Sequence, residues 1–191
     1  MLHFLIYFEN IVWLLPGIRQ WKSRFNYYFI ILSLTGLIDV FFVLLHLRNY
    51  YNGILIACSF LLVVYSLDIK LSNVVKSILL VLSLGFLLLM GIPPFKQHFG
   101  EIFLSLHAIV LFLFIKKFLL EAVRSRSFGG FFACIIMYEL SITLRMFFGV
   151  TGTEVGYSYY IITMIFETII GAFFIVFTEN DPRLTVKMKV Q

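Results

Sequence analysis

Two stretches in the C-terminal half decide the fold of this chain. Residues 129–149 read GGFFACIIMYELSITLRMFFG, and residues 157–178 read YSYYIITMIFETIIGAFFIVFT. Each stretch has about 20 mostly apolar residues, the length that an α-helix needs to cross the hydrocarbon core of a bilayer. Each also carries one central glutamate, Glu139 in the first and Glu167 in the second. We therefore expect two membrane-spanning helices, each with an acidic group at mid-depth.

The composition of the whole chain agrees with a membrane protein. Of its 191 residues, 61% are hydrophobic and 13% are charged, whereas a soluble domain has roughly 45–50% apolar and about 25% charged residues. This leaves too little polar surface to solvate a compact body of this size. Composition therefore excludes a soluble enzyme, a free nucleic-acid-binding protein and a disordered chain. Cys58 and Cys134 lie in apolar runs, which supports neither a disulfide framework nor a zinc site.

Five further apolar runs precede these two, so the sequence predicts an all-α, polytopic membrane protein with about seven transmembrane helices. The predicted spans lie near residues 2–17, 27–47, 53–69, 76–94, 101–120, 129–149 and 157–178. The first run is short and ends at Pro16 and Gly17, a pair that normally stops a helix. It is either a true span or a tilted, re-entrant or interfacial segment, and in the second case six spans remain.

The distribution of basic residues predicts the orientation of the helices. Loops on the cytoplasmic side of a membrane carry an excess of lysine and arginine. With the N-terminus outside, the outer loops hold only Arg48 and Lys96, while the inner segments hold 12 of the 15 basic residues: Arg19, Lys22, Arg24, Lys70, Lys76, Lys116, Lys117, Arg124, Arg126, Arg183, Lys187 and Lys189. We therefore expect the N-terminus outside and the C-terminus inside.

Acidic residues inside the predicted spans are the candidate functional groups. A charged side chain at the bilayer centre costs about 2.5–3.5 kcal/mol on insertion scales, so such residues usually face the interior of a bundle and mark proton relays, ion sites or ligand counter-ions. The simpler interpretation is a glutamate hydrogen-bonded to a neighbouring helix. Because Glu139 and Glu167 lie at matching depths on consecutive helices, we interpret them as a proton relay. Glu9 and Asp39, near the centres of the first two spans, are candidates for additional relay members.

Other polar residues in the spans have simpler interpretations. Arg145 follows Glu139 by six residues and so points to another side of the same helix. It either pairs with an acid on another helix or snorkels to the outer surface, and snorkelling is the interpretation that we favour. Four histidines lie toward the outer side without the spacing of metal ligands, and we interpret them as interfacial residues: His3, His46, His98 and His107. We expect this chain to bind no metal or cofactor.

From about residue 101 onward, the sequence resembles the 4L subunit of NADH dehydrogenase, which is subunit K of bacterial complex I. That family is a three-helix protein with its N-terminus outside. Its second helix carries a glutamate after an apolar run, here Met137-Tyr138-Glu139-Leu140, and its third carries a glutamate followed by Ile-Gly, here Glu167-Thr168-Ile169-Ile170-Gly171. The resemblance implies a 4L-like unit over residues 96–180, an N-terminal extension of about four membrane helices over 1–95, and a short basic tail over 181–191.

The resemblance also implies a function. The chain would be a membrane-arm subunit of respiratory complex I, the NADH:ubiquinone oxidoreductase, would contribute Glu139 and Glu167 to proton translocation, and would not be catalytic alone. NADH, FMN, iron–sulfur clusters and quinone would bind to partner subunits. The chain itself would contact other membrane subunits of the complex and the lipid bilayer, but no nucleic acid. Its location would be the mitochondrial inner membrane, with the chain encoded in the organelle, or alternatively a bacterial inner membrane.

Two alternatives use the same residues differently. A stand-alone seven-helix receptor or sensor would use the buried acids for ligand binding or helix packing, and a small proton-coupled transporter would use them to carry protons. The packing of the first four spans separates these alternatives from the 4L-like interpretation. A 4L-like unit predicts that the extension mainly contacts other chains, whereas a closed bundle around one central pocket favours a receptor or transporter.

Overall fold

Helices dominate the computed structural model, which describes residues 2–45, 48–66, 78, 81–83, 85 and 92–187. Three helices come first: α1 (Leu2–Arg19), α2 (Asn26–Leu45) and α3 (Arg48–Ser66). The later helices are the short α4 (Pro93–Gln97) and three long ones, α5 (Phe99–Ser125), α6 (Gly130–Thr151) and α7 (Tyr157–Val176). The predicted fourth span, residues 76–94, lies mostly outside the described residues, and its two terminal prolines begin α4.

The helices have the character expected of a membrane-embedded protein. Helices α5, α6 and α7 are each long and apolar enough to cross a membrane. Shorter apolar stretches occupy Asn26–Ile38 in α2 and Asn52–Ser66 in α3. The helical fold and its membrane character are therefore confirmed, while the number of seven spans and their orientation stay predictions.

The first helix does not end at Pro16 and Gly17, as the sequence predicts, but continues to Arg19. A proline inside a helix removes a donor and disturbs the hydrogen-bond ladder around it. Ser33 of α2 bonds to the backbone on both sides of Pro16, since its Oγ accepts from the Gly17 N–H at 3.1 Å and donates to the Trp13 carbonyl at 2.8 Å. Hydroxyl side chains from neighbouring helices are a known way to tolerate proline in apolar helices.

A small sheet adds to the predicted all-α architecture. Strand β1 (Ser127–Gly129), between α5 and α6, pairs antiparallel with β2 (Thr185–Lys187), and Phe128 lies opposite Val186. A 3₁₀ turn at Pro182–Leu184 leads into β2. The predicted basic tail is therefore folded over these residues. A strand of three residues is too short to show the alternation of apolar and polar residues that predicts a strand from sequence.

The long helices close into a ring. Helices α1, α2, α3, α5, α6 and α7 each pack against the next one, and α7 packs against α1. Gly171 of α7 allows a close approach to α1, because a Cβ at this position would lie 2.8 Å from Cγ1 of Val12. Packing therefore crosses the proposed boundary near residue 95, and the described parts of the extension and of the 4L-like unit share one core.

Six phenylalanines fill one end of the ring and are called here the aromatic layer. Each is at most 2% exposed: Phe25, Phe29, Phe114, Phe131, Phe132 and Phe174. Neighbouring rings lie 4.8–6.5 Å apart, as between Phe29 and Phe174 or between Phe25 and Phe114, within the usual range for aromatic pairs. A cavity lined by Glu9, His107 and Arg145 lies on the other side of this layer, toward the N-terminal half of α1.

Candidate functional site

Glu139 lies at the centre of a hydrogen-bonded chain that joins four helices. Its side chain is fully buried on α6. Tyr28 of α2 donates its hydroxyl hydrogen to Oε1 at 2.7 Å, and Nδ1 of His107 on α5 lies 2.9 Å from Oε2. The other ring nitrogen of His107, Nε2, lies 3.2 Å from Oγ of Ser59 on α3. This chain of contacts, Tyr28–Glu139–His107–Ser59, is called here the Glu139 cluster.

The position of Glu139 follows from the periodicity of α6. Ile135 and Ile142 lie four residues before and three residues after Glu139, and both are buried. Residues at these spacings share one helix face, so the acid is carried into the core with the two isoleucines. A buried carboxyl group without partners would cost several kcal/mol. Here each carboxyl oxygen of Glu139 has a polar partner, which reduces the cost of burying the group.

Glu167 of α7 is equally buried but has different partners, both on α6. The Ser141 hydroxyl donates to Oε1 at 2.9 Å, and Nη1 of Arg145 lies 3.1 Å from Oε2. The guanidinium does not approach Oε2 along an N–H bond, so this contact is an ion pair without an aligned hydrogen bond. Ser141 and Arg145 are four residues apart and so share the face of α6 toward α7.

The interpretation that we favoured for Arg145, snorkelling to the outer surface, is wrong. The alternative, pairing with an acid on another helix, is confirmed. Its side chain is 25% exposed and pairs with Glu167 instead of extending to the surface. Pairing is favourable because an isolated carboxylate in a dry interior would be far more costly than a paired one. The arginine therefore belongs to the candidate site.

A cavity of about 140 Å³ links the two acid groups through their partners. Both Arg145, the partner of Glu167, and His107, the partner of Glu139, line it. Glu9 of α1 also lines this cavity and is 9% exposed, and its charge acts on Arg145. The structure thus brings three of the four predicted acids to one region. The side chain of the fourth, Asp39, lies outside the described residues.

Sequence reasoning missed the neutral members of the Glu139 cluster and misread one titratable member. The interpretation of His107 as an interfacial histidine is wrong, because its ring is 3% exposed and contacts a polar partner at each nitrogen. A signal was present, since His107 alone among the four histidines lies well inside a predicted span, where ionisable residues are costly. Tyr28 and Ser59 of this cluster, and Ser141 beside Glu167, gave no comparable signal, because tyrosine and serine are ordinary in apolar helices.

The arrangement is suited to holding and passing protons. Carboxyl and imidazole groups both exchange protons, and here they contact each other out of water. In the described part of the chain, no three histidine, cysteine or acidic side chains are grouped as metal ligands would be.

The sequence matches no family model, and no curated protein or solved structure is significantly similar to it.

Proposed function

We propose that this chain transfers protons within a membrane and that Glu139 and Glu167 hold them. The observation that carries the proposal is the contact of 2.9 Å between Glu139 and His107, two proton-exchanging groups enclosed by four helices. Burying such a pair costs desolvation energy that apolar packing would avoid. Ionisable residues kept inside membrane helices typically mark proton or ion pathways. Proton transfer therefore explains this pair better than a purely packing role does.

We infer the first candidate setting from the sequence resemblance. The chain would be a membrane-arm subunit of respiratory complex I, in the mitochondrial inner membrane or in a bacterial inner membrane. Its buried acids would then form part of a proton route driven by NADH oxidation in partner subunits. The proposed topology has seven spans, with the N-terminus outside and the C-terminus inside.

One observation favours a second setting, a stand-alone proton-coupled transporter or sensor. The described long helices close a ring in which α1 packs against α7 and α3 packs against α5. Residues from α1, α2, α3, α5 and α6 all line the central cavity. Helices that served mainly to contact other chains would not need to complete this ring. The same acids carry protons in either setting.

Glutamine variants test the proposed proton transfer in the full chain. The protein is purified in mild detergent in the assembly that it forms and is reconstituted into liposomes. Proton movement is then followed with an internal pH-sensitive dye under an imposed membrane potential, and also during NADH oxidation if the purified assembly oxidises NADH. Glu139→Gln and Glu167→Gln preserve shape but remove the exchangeable acid. Each should lower the flux roughly 100-fold, the lower end of the contribution of a positioned proton-transfer group.

The matched control is Glu154→Gln, which changes an exposed glutamate in the loop between α6 and α7. Its proton flux should equal that of the wild type, because Glu154 lies outside the buried clusters. Wild-type flux in both Glu139→Gln and Glu167→Gln would contradict the proposal.

Two further measurements address the setting and the topology. Co-purification at high native mass with subunits that oxidise NADH would support the complex I setting, whereas a monodisperse single chain would support the stand-alone protein. A reporter fused after Gln191 should lie on the inner side, and one inserted at residues 96–100 should lie on the outer side. Both reporters on one side would contradict the proposed topology.

A further inference from the structure

We propose that His107 is a further proton-transfer residue, through which Glu139 exchanges its proton with the cavity. This inference rests on the proposed function and deepens it. Glu139 is fully buried and is not among the residues that line the cavity, whereas His107 lines the cavity and contacts Glu139. Its two ring nitrogens serve the two sides, with Nδ1 toward the acid and Nε2 toward Ser59, which also lines the cavity.

The hydrogen bonds of Ser59 indicate the tautomer of His107 on which the proposed transfer is built. A carbonyl oxygen only accepts, so Ser59 donates its single hydroxyl hydrogen to the Leu55 carbonyl at 2.8 Å. With that hydrogen used, Oγ of Ser59 is left to accept across the 3.2 Å contact with Nε2 of His107. Nε2 therefore carries a hydrogen. On the far side of the cluster, the hydroxyl hydrogen of Tyr28 is donated to Oε1 of Glu139.

One hydrogen remains for the contact between Nδ1 of His107 and Oε2 of Glu139. On Oε2 it makes both groups neutral, and on Nδ1 it makes them an ion pair. In both cases the pair of His107 and Glu139 holds two exchangeable protons. A neutral histidine that donates from Nδ1 to a carboxylate holds one. In the proposed role, this arrangement is the state in which the pair holds the proton that it transfers.

Release then requires a short sequence of proton movements. The hydrogen on Nε2 leaves to water in the cavity, the hydrogen shared with Oε2 stays on Nδ1, and Glu139 becomes a carboxylate. The Ser59 hydroxyl turns from the Leu55 carbonyl and donates to Nε2. Uptake is the reverse, so one proton enters or leaves and no electrons are transferred. Histidine suits this role because either ring nitrogen can carry the proton.

The route is open toward the cavity and closed on the other side. The ring of Tyr28 packs against Phe29 and Phe114 of the aromatic layer. Proton exchange is therefore directed toward the end of the bundle that carries Glu9 and Arg145. The titratable or charged groups that line the cavity together with His107 are Glu9, Tyr138 and Arg145, and Glu139 contacts its ring.

Chemical rescue tests the transfer role directly. In the liposome assay, His107→Ala should lower proton flux roughly 100-fold, as expected for loss of a positioned acid–base group. Added imidazole should restore a large part of the flux, because it can enter the space left by the side chain and carry a proton. Pyrazole has the same shape but is a much weaker base, and it should not restore flux. Equal rescue by both compounds, or wild-type flux in His107→Ala, would overturn the proposal.

A second variant covers the case in which His107→Ala does not fold. His107→Gln keeps hydrogen-bonding groups beside Glu139 but cannot pass a proton. After a rapid pH change, infrared bands that the Glu139→Gln variant lacks report the protonation of the cluster. These bands should change roughly 100-fold more slowly in His107→Gln than in wild type. The control His98→Ala, which removes an exposed histidine, should respond as wild type does.

The infrared readout separates this inference from the proposed function. If His107→Gln slows the bands while wild-type liposomes show no proton flux, the proposed function fails and His107 still exchanges the proton of Glu139. If wild type conducts protons and His107→Gln changes neither the flux nor the band kinetics, the role of His107 fails alone. Absence of any pH-dependent band that depends on Glu139 would also overturn the role of His107.

Discussion

Removing one hydroxyl group tests the energetics of the Glu139 cluster. Tyr28→Phe deletes the donor that lies 2.7 Å from Oε1 of Glu139 and leaves the rest of a fully buried ring in place. A buried acceptor that loses its partner costs about 1–3 kcal/mol. Since each 1.4 kcal/mol changes an equilibrium constant tenfold, the unfolding equilibrium should shift by about 5-fold to 150-fold.

The preceding residue supplies a matched control. Tyr27 is 61% exposed, and its ring packs against Tyr65 at 5.7 Å, a contact that phenylalanine keeps. Tyr27→Phe should therefore change the free energy of unfolding by no more than about 0.5 kcal/mol. Both variants are unfolded in mixed micelles with increasing denaturing detergent. Equal stability of Tyr28→Phe and Tyr27→Phe would refute the assignment of the Tyr28 hydrogen bond to Glu139.

Two further predictions concern helix packing and the residues after α7. Gly171→Ala should destabilise the fold by about 1–3 kcal/mol, because its Cβ would press on Val12; Gly149→Ala, where nothing lies within 4 Å, should be neutral or stabilising in the same thermal melts. Hydrogen bonds from Arg183 lower the pKa of the Asp181 carboxyl, so this contact stabilises the fold above the ordinary aspartate pKa of about 3.9 and is lost as pH falls through the lowered pKa. Arg183→Gln should raise that pKa toward its ordinary value in a carbon-13 NMR titration, and an unchanged midpoint would show that the contact is absent in solution.

The parts of the fold that depend on local sequence could be predicted, and the parts that depend on other helices could not. Apolar runs of sufficient length define the helices, and burial of Glu139 and Glu167 follows from the cost of exposing acids to lipid. Helix α1 continues through Pro16, and Ser33, which bonds to its backbone there, comes from the next helix. The sequence of the first apolar run does not indicate that Ser33 contacts it.

The candidate site divides in the same way. The central acids are visible in the sequence because carboxyl groups are rare in apolar spans. Their partners are not, since Tyr28 is 111 residues from Glu139 along the chain and a tyrosine in an apolar helix has many roles. Arg145 can be recognised in the sequence as a charged residue in an apolar span. Whether it extends to the surface or pairs with Glu167 depends on how α6 faces α7, which periodicity alone does not determine.

Proton flux through the double variant Glu139→Gln/Glu167→Gln tests the central claim most directly. The full chain is reconstituted in liposomes beside each single variant, the wild type and Glu154→Gln. If both acids act in one route, the double variant should lose roughly 100-fold or more of the flux and fall little below the lower single variant, because groups in one route are not additive. Wild-type flux in the double variant, with its fold intact, would contradict the claim that these acids carry protons.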